Sequence, residues 1–371
     1  MPLINKRIIS NFDWLLVLFT LILGLIGLIV LGSAGYDPDE DKSAALNSQA
    51  IYLVGSWFLF FIATAIGPNG WKRLSIPVYI VGIILLLYII FKGGIVAGGA
   101  RRWISLGFVR MQPSEIMKLG LILVLSRYFS NYRDTQKGYH LRNMGIPLLL
   151  IIFPAALILK QPDLGTALCL IAIGMSMLFI AGLRFSTILK LSIPVVILTI
   201  PAWHFGLKDY QKQRVLTFLA PEQDPLGKGY HAIQSKIAVG SGAVFGKGYR
   251  KGTQTQLRFL PEQNTDFIFS VLAEEWGFVG SVVVLSLYGM LLMHLLSVAS
   301  KMADSFSMYV TIGTAALIFW HVFINIGMVI GVLPVVGITL VLLSYGGSSL
   351  LTCMILLGIV TGLSARRYMF A

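Results

Sequence analysis

Five carboxylates stand at the start of long apolar segments or inside them, where ionisable side chains are costly to keep. A charged group at the centre of a bilayer costs roughly 2.5 to 3.5 kcal/mol or more, so such groups usually face a protein interior or a water-filled cavity. They are therefore the first candidates for acid–base chemistry. The five residues are Glu115, Asp163, Asp266, Glu274 and Glu275.

Asp266, in the stretch LPEQNTDFIF, is the last charged residue before the chain enters an apolar segment. It could cap the helix that follows, or it could face a cavity and act as a general base. At about 100° per residue, Glu274 lies about 80° around a helix from Asp266, and Glu275 about 180°. These acids are therefore not expected to form one catalytic pair, and Glu262, on the loop side, is the expected near neighbour.

Glu115 and Lys118 are three residues apart in RMQPSEIMKLG and share one face of a predicted helix. They could form an ion pair that only stabilises helix packing, or Lys118 could also face an external cavity for a phosphate group. Asp163, in KQPDLGTAL, is a good N-cap for the helix that follows it. For Asp163, too, a structural role competes with a functional one.

Other common catalytic and metal-binding patterns are absent from the sequence. The five histidines are scattered without HExxH spacing, and there is no Gly-x-Ser-x-Gly motif. GSGAVFGKG lacks the GK[ST] ending and the flanking elements of a nucleotide loop. Cys169 and Cys353 both fall in apolar spans, so neither suggests a disulfide framework. A carboxylate beside several cations remains, which fits acid–base chemistry on a phosphate-bearing lipid.

The elements that carry these residues are membrane spans. Of 371 residues, 56% are hydrophobic and 12% charged, and the mean hydropathy is +0.81, which is not the composition of a soluble fold. Apolar runs of about 20 residues predict an all-α integral membrane protein of about ten transmembrane helices, a single polytopic domain over residues 1–371. The runs begin near Trp14, Ala50, Leu74, Ser114, Met144, Leu164, Ile188, Phe267, Phe306 and Ser344.

Basic residues in the short loops predict the orientation of these helices. Such residues favour the cytoplasm, and when ten helices are threaded they fall on one side, so both termini are predicted to be cytoplasmic. The acidic stretch YDPDED (36–41) lands outside, as this arrangement requires. The first apolar run, residues 14–32, exceeds the length of a typical signal-peptide core, so we expect it to be a retained helix.

Two predicted external segments carry positive charge against this rule. One is residues 92–113, and the other is the large loop between helices 7 and 8, residues 207–266, with nine Lys or Arg against five Asp or Glu. These cations could merely solvate loops that translocate regardless of charge. Alternatively they form a cationic mouth for an anionic ligand, since the planar guanidinium of Arg binds phosphate bidentately. Glycines in the large loop predict close backbone approaches between partly helical pieces.

Several stretches of the chain together resemble the SEDS family (shape, elongation, division, sporulation), and they span nearly the whole chain. This is more specific than any single motif. The stretches are GARRWISLGFVRMQPSEIMK (99–118), QPDLGTAL (161–168), YQKQRVLTFLAPEQDPLGKGYHAIQSKIAVGSG (210–242), LPEQNTDFIFSVLAEEWGFVG (260–280), NIGMVIGVLPVVGI (325–338) and SYGGSS (344–349). The chain departs from the family at Thr339 and Val341, where prolines are usual, which leaves the shape of that segment open, and at Asn264, where His is common.

The resemblance implies a peptidoglycan glycosyltransferase that polymerises lipid II on the outer face of the cytoplasmic membrane during cell elongation. It also implies a class B penicillin-binding protein as the crosslinking partner, and no nucleic acid. The family's essential loop carboxylate corresponds to Asp266, its intramembrane pair to Glu115 and Lys118, and its Gln-Pro-Asp acid to Asp163. Its external basic and aromatic positions correspond to Arg102, Trp103, Arg110 and Arg214.

The mechanism implied is inverting glycosyl transfer. Asp266 would accept the proton of a sugar 4-hydroxyl as that oxygen attacks the anomeric carbon of a second lipid-linked saccharide, expelling polyprenyl pyrophosphate. Mg²⁺ or Mn²⁺, held by Glu262 or Asp266, could help to stabilise the leaving group. Two other functions stay open, a lipid flippase and a scaffold that only recruits the partner. The cations that could bind pyrophosphate are Arg102, Arg110, Lys118 and Arg214.

Overall fold

The computed structural model describes residues 11–36, 44–97, 100–105, 110–131, 144–182, 212, 216–220 and 228–367. Two of the predicted features lie outside these residues: Arg214 and the seventh span, which was expected to begin near Ile188. Most of the acidic stretch 36–41 lies outside them as well.

The described part of the chain is mainly helical. Its helices are α1 (Trp14–Ala34), α2 (Ala44–Ala65), α3 (Pro68–Lys92), α4 (Pro113–Asn131), α5 (Gly145–Lys160), α6 (Leu164–Ile180), α7 (Lys228–Ser241), α8 (Thr253–Gln256), α9 (Ile268–Ser300), α10 (Ser305–Val329) and α11 (Gly347–Ala365). By length and composition, six of the described helices could cross a membrane, namely α1, α2, α3, α9, α10 and α11, while α5 and α6 are shorter apolar helices. The chain is thus an integral membrane protein, as its composition predicts.

The expectation of an all-α fold is wrong in the segment between α3 and α4. Three short strands, β1 (Ile95–Ala97), β2 (Ala100–Ser105) and β3 (Arg110–Met111), form an antiparallel sheet in the order β1-β2-β3. In this sheet Ile95 pairs with Trp103, and Ser105 pairs with Arg110. The β-branched and aromatic residues of this segment favour an extended backbone, and strand pairing satisfies backbone groups that have left the helix.

Glycines allow α2 and α11 to pack in close contact. A Cβ atom added at Gly358 would lie 2.4 Å from the Phe60 carbonyl oxygen, and one at Gly362 would lie 2.5 Å from that of Thr64. The Thr64 hydroxyl donates to the Gly358 carbonyl at 3.0 Å across the same contact. Small residues spaced four apart let helices approach closely where no hydrophobic effect drives association. This contact fixes the position of α11, which begins at Gly347 and continues with Ser348 and Ser349.

Helix α9 is interrupted at Gly277, where the backbone is left-handed (φ 69°). The loop after α7 passes through this interruption, because the Phe278 amide donates to the Ala243 carbonyl at 2.9 Å and the Gly248 amide donates to the Glu275 carbonyl at 3.0 Å. A Cβ atom at Gly277 would lie 2.3 Å from the amide nitrogen of Gly246. The close backbone approaches predicted from the glycines of this loop are therefore confirmed.

Candidate functional site

Asp266 lies in a tight turn immediately before α9. The turn begins at Glu262, whose backbone is left-handed (φ 54°). Its carbonyl accepts hydrogen bonds from the amides of Thr265 and Asp266, both at 3.1 Å. The N-cap position of α9 is Phe267, and no side-chain capping hydrogen bond is made there. The structure therefore does not support Asp266 as a helix cap.

Three successive carbonyl groups in this turn, those of residues 264–266, accept hydrogen bonds from α10 and from the segment that follows it. The Tyr345 amide donates to the first carbonyl at 2.8 Å, and the Ser344 hydroxyl donates to the second at 2.6 Å. The Asn325 side chain, fully buried on α10, donates to the Asp266 carbonyl at 2.8 Å. The backbone that carries the carboxylate is therefore fixed by residues that follow it by about 60 to 80 positions in the chain.

The Asp266 carboxylate is half-buried and faces Gly337. A Cβ atom added at Gly337, where φ is +77°, would lie 3.2 Å from the Asp266 Oδ2 atom. Burial and the negative charge of Glu262 raise the pKa of Asp266, the charge of Arg102 and a hydrogen bond with Thr265 lower it, and the net result is a pKa of about 6. The structure thus confirms Glu262 as a near neighbour. A carboxyl group with this pKa can accept a proton near neutral pH.

Arg102 and Asp163 form an ion pair next to this carboxylate. The Arg102 Nη1 atom lies 3.1 Å from Asp163 Oδ2, which also accepts from the Gln112 side chain at 3.2 Å. The other oxygen of Asp163 accepts from the Thr166 amide at 3.2 Å, so the predicted N-cap of α6 is confirmed. The Arg102 Nε atom is buried without a hydrogen-bond partner. Arg102 as a whole is half-buried, so part of its guanidinium group reaches the surface beside Asp163.

Glu115 and Lys118 form the predicted ion pair on α4, with 2.7 Å between the Lys118 ammonium and Glu115 Oε1. The ammonium also lies 2.8 Å from His321 Nε2 on α10. All three residues are buried, with 0% of Lys118, 1% of His321 and 6% of Glu115 exposed. This burial favours the structural interpretation of the pair over direct contact of Lys118 with a phosphate.

His321 was missed by the sequence reasoning. It lies 203 residues from Lys118 in the chain, and the scattered histidines match no motif. The available signal was its position inside the apolar stretch FWHVF, because an ionisable residue within a membrane span is a functional candidate by default.

Three of the predicted substrate-binding residues lie on the small sheet. Arg102 and Trp103 are neighbours on β2 and are both half-buried, and successive strand residues point to opposite faces. Arg110 is exposed on β3, and its carbonyl accepts from the Ser348 hydroxyl at 3.1 Å, which anchors the sheet to the start of α11. Arg214 lies outside the described residues.

Glu274 and Glu275 hold the loop after α7 rather than facing Asp266. Glu274 accepts from the Lys247 ammonium at 2.8 Å and from the amides of Gln254 and Thr255 at 2.9 and 3.1 Å. Glu275 accepts from the Ser33 hydroxyl and from the Arg250 amide. The expectation that these acids and Asp266 do not form one catalytic pair is confirmed.

The described part of the chain contains no group of three or more His, Cys, Asp or Glu side chains placed to hold a metal ion. It does bring two carboxylates together, those of Asp266 and Glu262. Mg²⁺ is commonly bound by one or two carboxylates together with substrate phosphates. These two residues therefore fit a metal whose remaining ligands come from a substrate.

Together these features define a mainly helical integral membrane protein with a half-buried carboxylate beside an arginine–aspartate pair and a buried lysine–glutamate–histidine cluster. The chain belongs to the family of cell cycle proteins that includes FtsW, RodA and SpoVE, whose model matches residues 13–369. The resemblance found in the sequence is thereby confirmed.

Individual relatives match over almost the whole chain. The peptidoglycan glycosyltransferase MrdB of Escherichia coli K12 is 42% identical over 95% of this chain and 94% of its own length. The peptidoglycan glycosyltransferase RodA of Treponema pallidum is 33% identical over 97% of this chain and 99% of its own length.

Solved structures show the same fold. A chain of a peptidoglycan synthase complex, described as coordinating polymerization and crosslinking, matches with a TM-score of 0.82 at 33% identity, over 96% of this chain and 98% of that chain. The rod shape determining protein RodA of Thermus thermophilus matches with a TM-score of 0.71 at 29% identity, over the same shares of the two chains.

Proposed function

We propose that this protein is a peptidoglycan glycosyltransferase that polymerises lipid II into glycan strands during cell elongation and maintenance of cell shape. Relatives that carry this activity in their names align along nearly the entire chain. The observation that carries the proposal is the half-buried Asp266 carboxylate, whose pKa is raised to about 6 and on which the positive charge of Arg102 acts. A proton acceptor next to an anion-binding group is what glycosyl transfer from a pyrophosphate requires.

Asp266 acts as the general base in this reaction. Its carboxylate takes the proton from the 4-hydroxyl of one lipid-linked saccharide while that oxygen forms a bond to the anomeric carbon of the other. The bond from that carbon to the pyrophosphate oxygen breaks, and polyprenyl pyrophosphate leaves with the electron pair. A positioned base typically contributes about 10² to 10⁴-fold. The three hydrogen bonds to the carbonyls of residues 264–266 support rigid placement of this base.

Arg102 is the described cation best placed to stabilise the leaving pyrophosphate. Its charge acts on Asp266, and its side chain is half-buried beside Asp163. Donors aimed at developing charge are usually the largest single contribution to such catalysis. Arg110 and Arg214 are further cations for the same anion, whereas Lys118 is occupied by Glu115 and His321. A bound Mg²⁺ or Mn²⁺, held by Asp266 and Glu262, would supply additional Lewis-acid stabilisation.

The arrangement in the membrane is also part of the proposal. The chain forms a single polytopic domain of about ten helices in the bacterial cytoplasmic membrane, with both termini cytoplasmic, as the distribution of basic residues indicates. Asp266 and the large loop, residues 207–266, then lie on the outer face, where lipid II is used. A class B penicillin-binding protein crosslinks the new strands, in line with the synthase complex that this fold resembles.

Polymerisation of labelled lipid II by the purified protein together with its transpeptidase partner tests the proposal. We expect glycan strands from the wild-type complex and a loss of about 10² to 10⁴-fold with Asp266→Ala. Failure of the folded wild-type complex to make strands, with transfer of lipid II across liposome membranes instead, would show that the protein is a flippase. Normal strand synthesis by Asp266→Ala would show that another group is the base.

A further inference from the structure

Both ring nitrogens of His321 are occupied by partners from different parts of the fold. Nε2 lies 2.8 Å from the Lys118 ammonium of α4, and Nδ1 lies 2.9 Å from the Thr339 carbonyl oxygen. An ammonium group can only donate and a carbonyl oxygen can only accept. Nε2 is therefore the acceptor and Nδ1 carries the proton, so this geometry requires one neutral tautomer of the ring.

The carbonyl that His321 holds belongs to the segment that borders Asp266. Two residues before it, Gly337 faces the Asp266 carboxylate, with 3.2 Å between Oδ2 and the position of an added Cβ atom. Asn325, one turn after His321 on α10, donates to the Ile338 carbonyl at 2.7 Å and to the Asp266 carbonyl at 2.8 Å.

Residues four apart share one face of a helix. This face of α10 therefore holds two consecutive carbonyls of the segment, those of residues 338 and 339, together with the backbone of the proposed base. The Thr339 hydroxyl also donates to Ser349 at 3.3 Å, which joins the segment to α11.

We propose that His321 is a positioning residue of the transferase centre: its Nδ1–H holds the Thr339 carbonyl and, through the segment 337–339, sets the place of the Asp266 carboxylate, while the contact with Lys118 selects the tautomer that carries this proton. This proposal rests on the proposed function. His321 is only 1% exposed and touches no substrate, so it acts through other groups. A misplacement of about 1 Å in a catalytic group can cost about 10²-fold in rate. The bond to Thr339 is partly buried, so losing the ring donor leaves its carbonyl oxygen with restricted access to another partner. The Lys118 ammonium, by contrast, keeps Glu115 as a partner when the contact with His321 is lost.

The two halves of the link can be separated by substitution at one position. In His321→Asn the amide nitrogen replaces Nδ1, so the bond to Thr339 is kept while the acceptor for Lys118 is lost. In His321→Gln the amide oxygen replaces Nε2, so the bond to Lys118 is kept while the donor to Thr339 is lost. His321→Leu loses both. Thr314→Val is the matched control, because Thr314 is fully buried on the same helix and its hydroxyl donates only within α10, to Val310 at 2.9 Å.

The measurement is kcat and KM for lipid II polymerisation by each variant in complex with the transpeptidase partner. We expect kcat to fall about 10- to 100-fold in His321→Leu and His321→Gln, and to stay within about threefold of wild type in His321→Asn and Thr314→Val. KM should change less than about threefold throughout, because no substrate contact is removed.

Three results would overturn the proposal. The first is wild-type kcat in His321→Leu, and the second is a loss in His321→Asn that His321→Gln does not show, which would make the contact with Lys118 the one that matters. The third is an equal loss in Thr314→Val, which would assign the effect to helix stability. If His321→Leu does not accumulate in folded form, the comparison of Asn with Gln decides alone. Asp266→Asn in the same series reports separately on the proposed function.

Discussion

The pH dependence of polymerisation follows from the pKa of Asp266. Burial disfavours the ionised form of this carboxyl and raises its pKa to about 6, whereas an unperturbed Asp has a pKa of about 3.9. The base is active only when ionised, so activity is lost as the pH falls through about 6. About nine-tenths of the carboxyls are ionised at pH 7 and about one-tenth at pH 5, which predicts a roughly tenfold loss of rate. With an ordinary pKa the loss over the same interval would be less than about 10%.

Glu262→Gln is the perturbation that isolates the electrostatic contribution to this pKa. The negative charge of Glu262 raises the pKa of Asp266, so its removal must move the acid limb of the pH–rate profile to lower pH. A like charge at this range shifts a pKa by about one unit or less where solvent screens it. The rate at pH 5 relative to pH 7 should therefore rise severalfold in the variant.

The assay is the initial rate of glycan synthesis by the purified complex from pH 4.5 to 8, at saturating lipid II. Asp304→Asn serves as the control. This residue caps α10 by accepting from the Ser307 amide at 3.0 Å, and Asn caps helices equally well. Two results would show that the pKa of Asp266 does not control the rate. One is a pH–rate profile that stays flat from pH 7 to 5, and the other is an acid limb that Glu262→Gln leaves in place or moves to higher pH.

Further predictions concern stability and packing. Asp266→Asn should raise the free energy of unfolding by about 1 to 2 kcal/mol at pH 7.5, after allowance for solvent screening. The raised folded-state pKa of Asp266 makes its ionised form destabilising, and this cost is complete above about pH 6. The gain in Tm should therefore vanish near pH 4. Gly358→Leu should abolish folded protein in size-exclusion chromatography, because its Cβ atom would lie 2.4 Å from the Phe60 carbonyl oxygen. Glu274→Gln should loosen the loop that Lys247 and two backbone amides attach to it, and limited proteolysis after residue 247 should become faster while Glu262→Gln leaves it unchanged.

Helical spacing and capping preferences predicted those contacts of the candidate site that residues close in sequence make. Glu115 and Lys118 are three residues apart on one helix, and Asp163 precedes the helix that it caps, so spacing and capping preferences were sufficient for both. The separation of Asp266 from Glu275 was also predicted, although Asp266 lies in the turn before α9 rather than in the helix. Each of these contacts is made within a few residues of sequence, where backbone geometry alone decides which side chains can meet.

Contacts between distant parts of the chain could not be predicted in this way. The bond from His321 to Lys118 and the bond from Asn325 to the Asp266 carbonyl depend on how helices pack, which periodicity does not determine. The segment around Thr339, whose shape the sequence left open, is likewise fixed by partners on α10 and α11. No sequence motif identifies His321 or Asn325, because their contacts form only when the helices pack together.

The proposed mechanism depends most directly on Asp266 as the base. Its test is strand synthesis by the Asp266→Asn complex, compared with wild type and Asp304→Asn, with lipid II binding measured in each. Asn keeps the size of the side chain and removes its negative charge and its capacity to take a proton. We expect lipid II to bind within about threefold of wild type while the rate of strand synthesis falls by about 10² to 10⁴-fold. Strand synthesis at the wild-type rate by a folded, lipid-binding Asp266→Asn complex would contradict the account.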